Sequence, residues 1–276
     1  PYRISEILKT IGMRPLTKEQ NIYYALRIAS AMCFIGHGTF GIITKEIWCN
    51  YFGVFGISHD TAYHLMPLLG SIDVLMGLSL LIYPTRVILG WLVIWGIITA
   101  MLRPLSGEPF AEFIERAGNF GAPLTLLILC WTSTKNTREW FTLVKPSMTM
   151  NAKLQRRVTL CLQVIVFLLL TGHGWLNLIE KKGILSQYAA LGFSDPAATA
   201  HIIGIAEIAM ALMVLIRPIR PLVFIFLVWK MGSELFYPHW EFFEWVERGG
   251  SYGTLLALWF VLPGISLRRP YKISTT

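Results

Sequence analysis

Two stretches of the chain, IASAMCFIGHGTFGIIT at 28–44 and VTLCLQVIVFLLLTGHGWLNLI at 158–179, each carry the triplet Gly-His-Gly inside an apolar run. Each triplet is followed by two further motifs, and each of these motifs also occurs once in each half of the chain. The two copies of each motif are separated by nearly the same number of residues as His37 and His173. The motif pairs are Gly70-Ser71-Ile72-Asp73 with Gly204-Ile205-Ala206-Glu207, and Glu115-Arg116-Ala117-Gly118 with Glu247-Arg248-Gly249-Gly250. Separations that change so little indicate a tandem duplication, so the polar residues repeated in both copies are the first candidates for a site.

The composition favours a membrane protein, because 54% of the 276 residues are hydrophobic and only 14% are charged. A helix needs about 20 apolar residues to cross a bilayer. Because lipid cannot hydrogen-bond the backbone, we expect helices rather than strands in the apolar runs. The sequence therefore predicts an all-α integral membrane protein with eight transmembrane helices. The predicted spans are 21–44, 62–83, 87–102, 117–134, 158–179, 196–216, 221–237 and 249–267.

The duplication divides these spans into four plus four. Residues 1–134 form the first predicted repeat, 135–157 form a basic linker, and 158–276 form the second repeat. Four spans return the chain to its starting side, so both repeats enter the membrane in the same direction and are parallel repeats. No loop is long enough for a soluble catalytic domain, so chemistry is expected within the helical bundle or at its outer rim.

The basic residues indicate an orientation. Lys and Arg cluster before the first span, in the linker 135–157, in the turns at Arg86 and Arg217, and after the last span. The opposite loops carry mainly Asp and Glu. The positive-inside rule then places both termini and the linker in the cytoplasm. The net charge of +8 is accordingly interpreted as a topology signal, and we expect membrane lipids rather than nucleic acid as partners.

The strongest candidate site residues are His37 with Asp73 and His173 with Glu207. Each acid is the only one within its apolar span, and an ionisable residue at such depth indicates function by default. A neutral imidazole both donates and accepts hydrogen bonds, so each pair suits a quinone carbonyl or a proton relay. The alternative is a structural pair that locks the first two helices of each repeat together.

Metal and haem chemistry have less support in the sequence. The four cysteines show no metal-ligand spacing, so no metal site is expected, and without a Cys-x-x-Cys-His motif c-type haem attachment is excluded. A b-type haem between two histidines is conceivable but less favoured than a quinone.

A third repeated group lies at the outer rim, just before the fourth and eighth spans. Its acids lie three residues apart, so they share one face of a short helix. Two interpretations stay open: the group anchors the bundle through Glu–Arg pairs, or it forms a lip above a pocket. The rim residues are Glu112, Glu115, Arg116, Glu244, Glu247 and Arg248.

At these motifs the chain resembles the DoxX-like family of bacterial membrane proteins. The resemblance rests on His37-Gly38 and His173-Gly174, followed by Gly-x-x-acid in the next span; Asp73 stands where the family usually has Glu. It implies two tandem four-helix membrane bundles in a bacterial inner membrane. Relatives of this kind include a subunit of a thiosulfate:quinone oxidoreductase, parts of thiol-stress complexes, and eukaryotic cargo receptors and receptor chaperones.

Three functions follow as hypotheses. The first is a membrane subunit of a larger respiratory or redox complex, with a quinone or proton-handling site built from the His–acid pairs. The second is a non-catalytic accessory, assembly or scaffold subunit of such a complex. The third is a carrier of a small hydrophobic or anionic ligand. The sequence leaves open whether the chain is itself an enzyme.

Overall fold

The computed structural model describes residues 15–131, 136–146, 149–235 and 242–263. Within these ranges the chain forms twelve α-helices and one short 3₁₀ helix at Thr137–Phe141, and it contains no β-strand. The predicted all-α fold is therefore confirmed. The helices are α1 (Lys18–Ile42), α2 (Trp48–Gly53), α3 (His59–Ile82), α4 (Arg86–Leu105), α5 (Ala111–Glu115), α6 (Ala117–Leu129), α7 (Ala152–Leu178), α8 (Lys182–Ala190), α9 (Pro196–Ile216), α10 (Arg220–Leu235), α11 (Phe242–Glu247) and α12 (Gly249–Val261).

The two halves of the chain contain the same elements in the same order. In each half a long histidine-bearing helix is followed by a short helix, two further apolar helices, a one-turn rim helix and a 13-residue central helix. The first half comprises α1 to α6 and the second α7 to α12. This matching order of elements is what a tandem duplication produces.

Five of the helices, α1, α3, α4, α7 and α9, are long and apolar enough to cross a membrane. The central helices α6 and α12 are shorter than the predicted spans 117–134 and 249–267, and 13 residues extend only about 20 Å. Residues 132–134 and 264–267 of those spans lie outside the described residues. The first span reaches back to Lys18, beyond the predicted Asn21.

Polar caps explain why the long helices begin where they do. Thr17 forms a capping box with Gln20, in which each side chain accepts a hydrogen bond from the other residue's backbone N–H. Asn151 caps α7 by accepting from the N–H of Leu154, so this helix starts before the predicted span at 158 and includes the end of the predicted linker. Ser58, Thr85 and Asp195 cap α3, α4 and α9 in the same way.

Glycines bring the first and second long helices of each half into close contact. A Cβ at Gly38 in α1 would lie closer than 3.0 Å to the carbonyl oxygen of Gly70 in α3. The equivalent contact in the second half joins Gly174 in α7 to the carbonyl oxygen of Gly204 in α9, at 2.8 Å. Small residues at such crossings let helix backbones pack directly. This contact holds the histidine of one helix next to the acid of the other.

The rim and central helices pack on the opposite half of the chain. The rim helix α11 and the central helix α12 lie against α1, whereas α5 and α6 lie against α7. A Cβ at Gly36 would overlap the backbone nitrogen of Glu247, and one at Gly172 would overlap that of Glu115. Each histidine-bearing helix is therefore covered by the rim of the other half.

Substitution of Gly36 tests this packing. We expect Gly36→Ala to lower the free energy of unfolding by about 1–3 kcal/mol, because the new methyl group overlaps the backbone of Glu247. Gly90→Ala in α4 is the matched control, since a Cβ there meets no atom within 4 Å, and alanine is a better helix former. Thermal unfolding in detergent measures both. Equal behaviour of the two variants would contradict the packing.

Candidate functional site

His37 and Asp73 form a direct pair, as their placement in neighbouring spans predicted. Nδ1 of His37 lies 2.8 Å from Oδ2 of Asp73. The carboxylate is 2% exposed, whereas the imidazole is less buried and packs against Trp48 at 4.5 Å between ring centroids. In the described part of the chain, Nε2 of His37 makes no hydrogen bond. The acid thus fixes one ring nitrogen and leaves the other free.

His173 and Glu207 form the equivalent pair in the second half, with 2.6 Å between Nδ1 and Oε2. Other side chains enclose this pair. Asn177 donates to Oε2 of Glu207 at 3.3 Å, and the hydroxyl of Tyr188 donates to Oδ1 of Asn177 at 2.8 Å. Nε2 of His173 lies 3.7 Å from a carboxylate oxygen of Glu234. The second pair is therefore surrounded by protein polar groups.

The first pair borders a cavity of about 260 Å³. Its walls are mainly aromatic and aliphatic, and they come from α2, the loop after it, α3 and α4. Among the described residues of the second half, the space that borders His173 is about 10 Å³. The apolar lining residues of the first cavity are Trp48, Tyr51, Phe52, Phe55, Ile57, Leu65, Leu68, Leu69, Trp95 and Leu102.

Charged residues form the other end of this cavity. Arg103 at the end of α4 and Arg116 after α5 line it together with Glu247, which belongs to the second half. Tyr51 donates a 2.5 Å hydrogen bond to Glu108, and Arg103 lies 3.2 Å from that same carboxylate. The cavity thus joins an apolar wall to a polar end made by both halves.

The rim residues form a buried network of ion pairs that crosses between the halves. Arg116 Nη1 lies 2.6 Å from Oε2 of Glu112 and 3.0 Å from Oε2 of Glu115. Glu115 also pairs with Arg248 of the second half, at 3.2 Å. Glu–Arg pairs thus join the two halves, and Arg116 with Glu247 borders the cavity.

Two lysines extend this network symmetrically. Lys45, which follows α1, pairs with Glu244 of the second half, and Lys181, which follows α7, pairs with Glu112 of the first half. The two lysines have the same separation along the chain as the two histidines. Each histidine-bearing helix therefore continues into a loop whose lysine holds the rim helix of the other half.

The Glu112 carboxyl illustrates the electrostatic balance at the rim. Burial raises the pKa of Glu112, but the neighbouring cations, above all Arg116 and Lys181, outweigh that effect and lower the pKa to about 2. Burial lowers the pKa of the Lys181 ammonium, and Glu112 opposes this shift. Glu112 therefore stays ionised at neutral pH, and its ion pairs stabilise the folded state.

Several site residues were not among the sequence candidates. Trp48, Tyr51 and Phe55 lie in a segment between two predicted spans, where aromatic residues are typical of the membrane interface. Lys230 and Glu234 lie four residues apart inside the predicted apolar span 221–237, and this spacing was a visible signal for an ion pair on one helix face. Among the described residues, no three His, Cys, Asp or Glu side chains are grouped to hold a metal ion.

Comparison with family models, with curated proteins and with solved structures gave no match for this chain.

The acid dependence of stability tests the rim network. A carboxyl whose folded pKa is about 2 stabilises the fold fully above its unfolded pKa of roughly 4.3, and this contribution is lost as the pH falls towards 2. We expect Glu112→Gln to destabilise the detergent-solubilised protein at pH 7 by an amount on the order of 2 kcal/mol. The difference from the wild type is expected to shrink as the pH falls below the unfolded pKa, as followed by thermal unfolding.

Glu180→Gln provides the control, because Glu180 is an exposed acid that pairs only with the exposed His201 among the described residues. We expect this variant to follow the wild-type profile. A Glu112→Gln difference that is the same at neutral pH and at about pH 3 would contradict the assigned ion pairs.

Proposed function

We propose that this chain is an integral membrane subunit of a larger redox complex, and that its first half binds a quinone-class ring in the cavity beside His37. The observation that carries this proposal is the His37–Asp73 pair bordering an aromatic-walled cavity of about 260 Å³. Ligand sites of this kind combine mostly apolar walls with a few polar groups that orient the ligand.

The open side of the cavity supports a lipid-soluble ligand. Phe55 and Leu68 both line the cavity and are 64% and 59% exposed. Leu68 lies on α3, one of the five helices able to cross a membrane. A ligand dissolved in the bilayer thus reaches the cavity from the side, without passing through water.

The chemistry of the pair supports proton handling. In the proposed resting state Asp73 accepts the Nδ1–H of His37 across the 2.8 Å contact, and Nε2 keeps a free lone pair. That nitrogen accepts a hydrogen bond, and then a proton, from the hydroxyl of a reduced quinone. Asp73 stabilises the imidazolium that forms. The second hydroxyl proton passes to the carboxylate of Glu247, which lines the same cavity. The two electrons pass to a redox centre in a partner subunit, and the quinol becomes a quinone.

The wider setting is part of the same proposal. We infer eight membrane crossings, with both termini on the cytoplasmic side, in a bacterial inner membrane. Five long apolar helices and the basic residues that flank the predicted spans support this topology. The Gly-His-Gly and Gly-x-x-acid motifs support membership of the DoxX-like family.

A scaffold role is the second candidate. It is favoured by the enclosed His173–Glu207 pair and by the ion pairs that join the two halves, both of which fix helix packing without a ligand. A scaffold subunit, however, gives no reason for an aromatic-walled cavity next to one histidine and not the other.

Quenching of tryptophan fluorescence tests the proposal, because Trp48 and Trp95 line the cavity. We expect a short-chain benzoquinone to give saturable quenching of the purified protein in lipid nanodiscs. His37→Gln is expected to weaken binding at least tenfold, because the amide replaces an imidazole that is held by Trp48 and polarised by Asp73. Trp48→Phe is expected to remove part of the quenching amplitude.

Thr39→Val is the matched control on the same helix, since the Thr39 hydroxyl donates to the carbonyl of Ile35 and does not line the cavity. Trp175→Phe is the control for Trp48→Phe, because Trp175 lies in the second half and outside the cavity. Quenching that never saturates, or equal affinity in His37→Gln and the wild type, would refute quinone binding at this site.

A further inference from the structure

The two halves differ at four positions of their equivalent helices. Helices α4 and α10 begin at the equivalent residues Arg86 and Arg220. When the two helices are aligned on these arginines, Lys230 is equivalent to Gly96 and Glu234 is equivalent to Ala100. The duplication therefore provides an internal comparison of an open site with a closed one.

Lys230 and Glu234 fill the second site. Their side chains are 1% and 2% exposed, and Nζ of Lys230 lies 2.6 Å from Oε1 of Glu234. The same Oε1 lies 3.7 Å from Nε2 of His173, and Oε2 of Glu234 lies 3.0 Å from Nε of Arg248. The carboxylate of Glu234 thus occupies the space facing the histidine nitrogen that is free in the first half.

Two more polar residues complete the enclosure. When the two halves are aligned on His37 and His173, Asn177 is equivalent to Gly41 and Tyr188 to Phe52. Neither Gly41 nor Phe52 has a side-chain hydrogen-bonding group. Asn177 binds the carboxylate of Glu207, and Tyr188 binds Asn177. The polar side chains of Asn177, Tyr188, Lys230 and Glu234 therefore have no polar counterpart at the equivalent positions of the first half.

We propose that the chain holds one ligand, in the first half only, and that the second half is a copy of the site filled by its own side chains. This inference rests on the proposed quinone binding. The Lys230–Glu234 pair, with Asn177 and Tyr188, fills the space that the ligand head group takes beside His37. This filling accounts for a space of about 260 Å³ beside His37 and of about 10 Å³ among the described residues beside His173.

The filled copy also indicates the charge of the ligand head group. Lys230 and Glu234 together carry no net charge, so the second site is filled by a pair that is neutral overall. The cavity beside His37 is lined by the acids Asp73 and Glu247 and by the arginines Arg103 and Arg116, so its acidic and basic residues are equal in number. A neutral head group, as in a quinone or quinol, leaves this balance unchanged, whereas the carboxylate of a fatty acid adds a charge.

The binding stoichiometry tests the inference. Equilibrium dialysis of the purified full chain against a radiolabelled short-chain benzoquinone is expected to give one molecule per wild-type chain. The double variant Lys230→Ala/Glu234→Ala removes both charges of the pair together, which avoids leaving either partner as an uncompensated buried charge, and it is expected to bind two. Two molecules per wild-type chain, or one per folded double variant, would overturn the inference.

A reciprocal variant in the first half keeps the test decisive if the double variant does not fold. Thr99→Gln places a longer uncharged side chain at a position of α4 that lines the cavity, and it is expected to weaken binding at least tenfold. Ser71→Gln is the control, because Ser71 is an exposed residue of α3 outside the cavity whose hydroxyl, like that of Thr99, donates to the carbonyl four residues earlier; this variant is expected to stay within threefold of the wild type. A folded Thr99→Gln protein with unchanged affinity would overturn the inference, whereas a wild-type chain that binds no benzoquinone at all would instead refute the proposed function.

Discussion

The fold depends on the contact between each rim helix and a glycine in the histidine-bearing helix of the other half. At Gly36 and Gly172 the backbones of Glu247 and Glu115 come so close that no side chain fits between them. This contact brings the acids and arginines of the rim to the depth of the histidines. It also makes the cavity beside His37 a site that neither half forms alone, because Glu247 comes from the second half.

The buried charges follow from this arrangement. Isolated ions in a low-dielectric interior are costly, and they persist only when partners surround them. Here Arg116 meets two carboxylates, and Glu115 meets an arginine from each half. The lysines after α1 and α7 pair with rim acids of the opposite half. Electrostatics therefore makes the association of the halves cooperative: removal of one partner leaves a buried charge without compensation.

The sequence predicted the fold class and the two histidine–acid pairs, because both depend on local signals. Apolar run length predicts helices, and a histidine and an acid repeated in adjacent spans are expected to meet. The packing of each rim helix on the other half was not predictable in this way, because motif spacing within one half carries no signal for a contact between the halves. The cavity was not predicted either. Its walls include Trp48 and Tyr51, which lie between two predicted spans, and aromatic residues are expected there because they favour the membrane interface. The difference between Gly96 and Lys230 is visible in the sequence, but only the structure shows that Lys230 pairs with Glu234 close to His173.

The reciprocal rim contacts mean that one half alone does not complete the fold. A separate half with this packing would leave its own histidine uncovered and would need a second identical molecule to cover it. Such an arrangement would be an isologous dimer with two equal sites related by a twofold axis. In one polypeptide the two halves need not be identical: Lys230 and Glu234 lie beside the histidine of the second half, whereas the histidine of the first half borders a cavity.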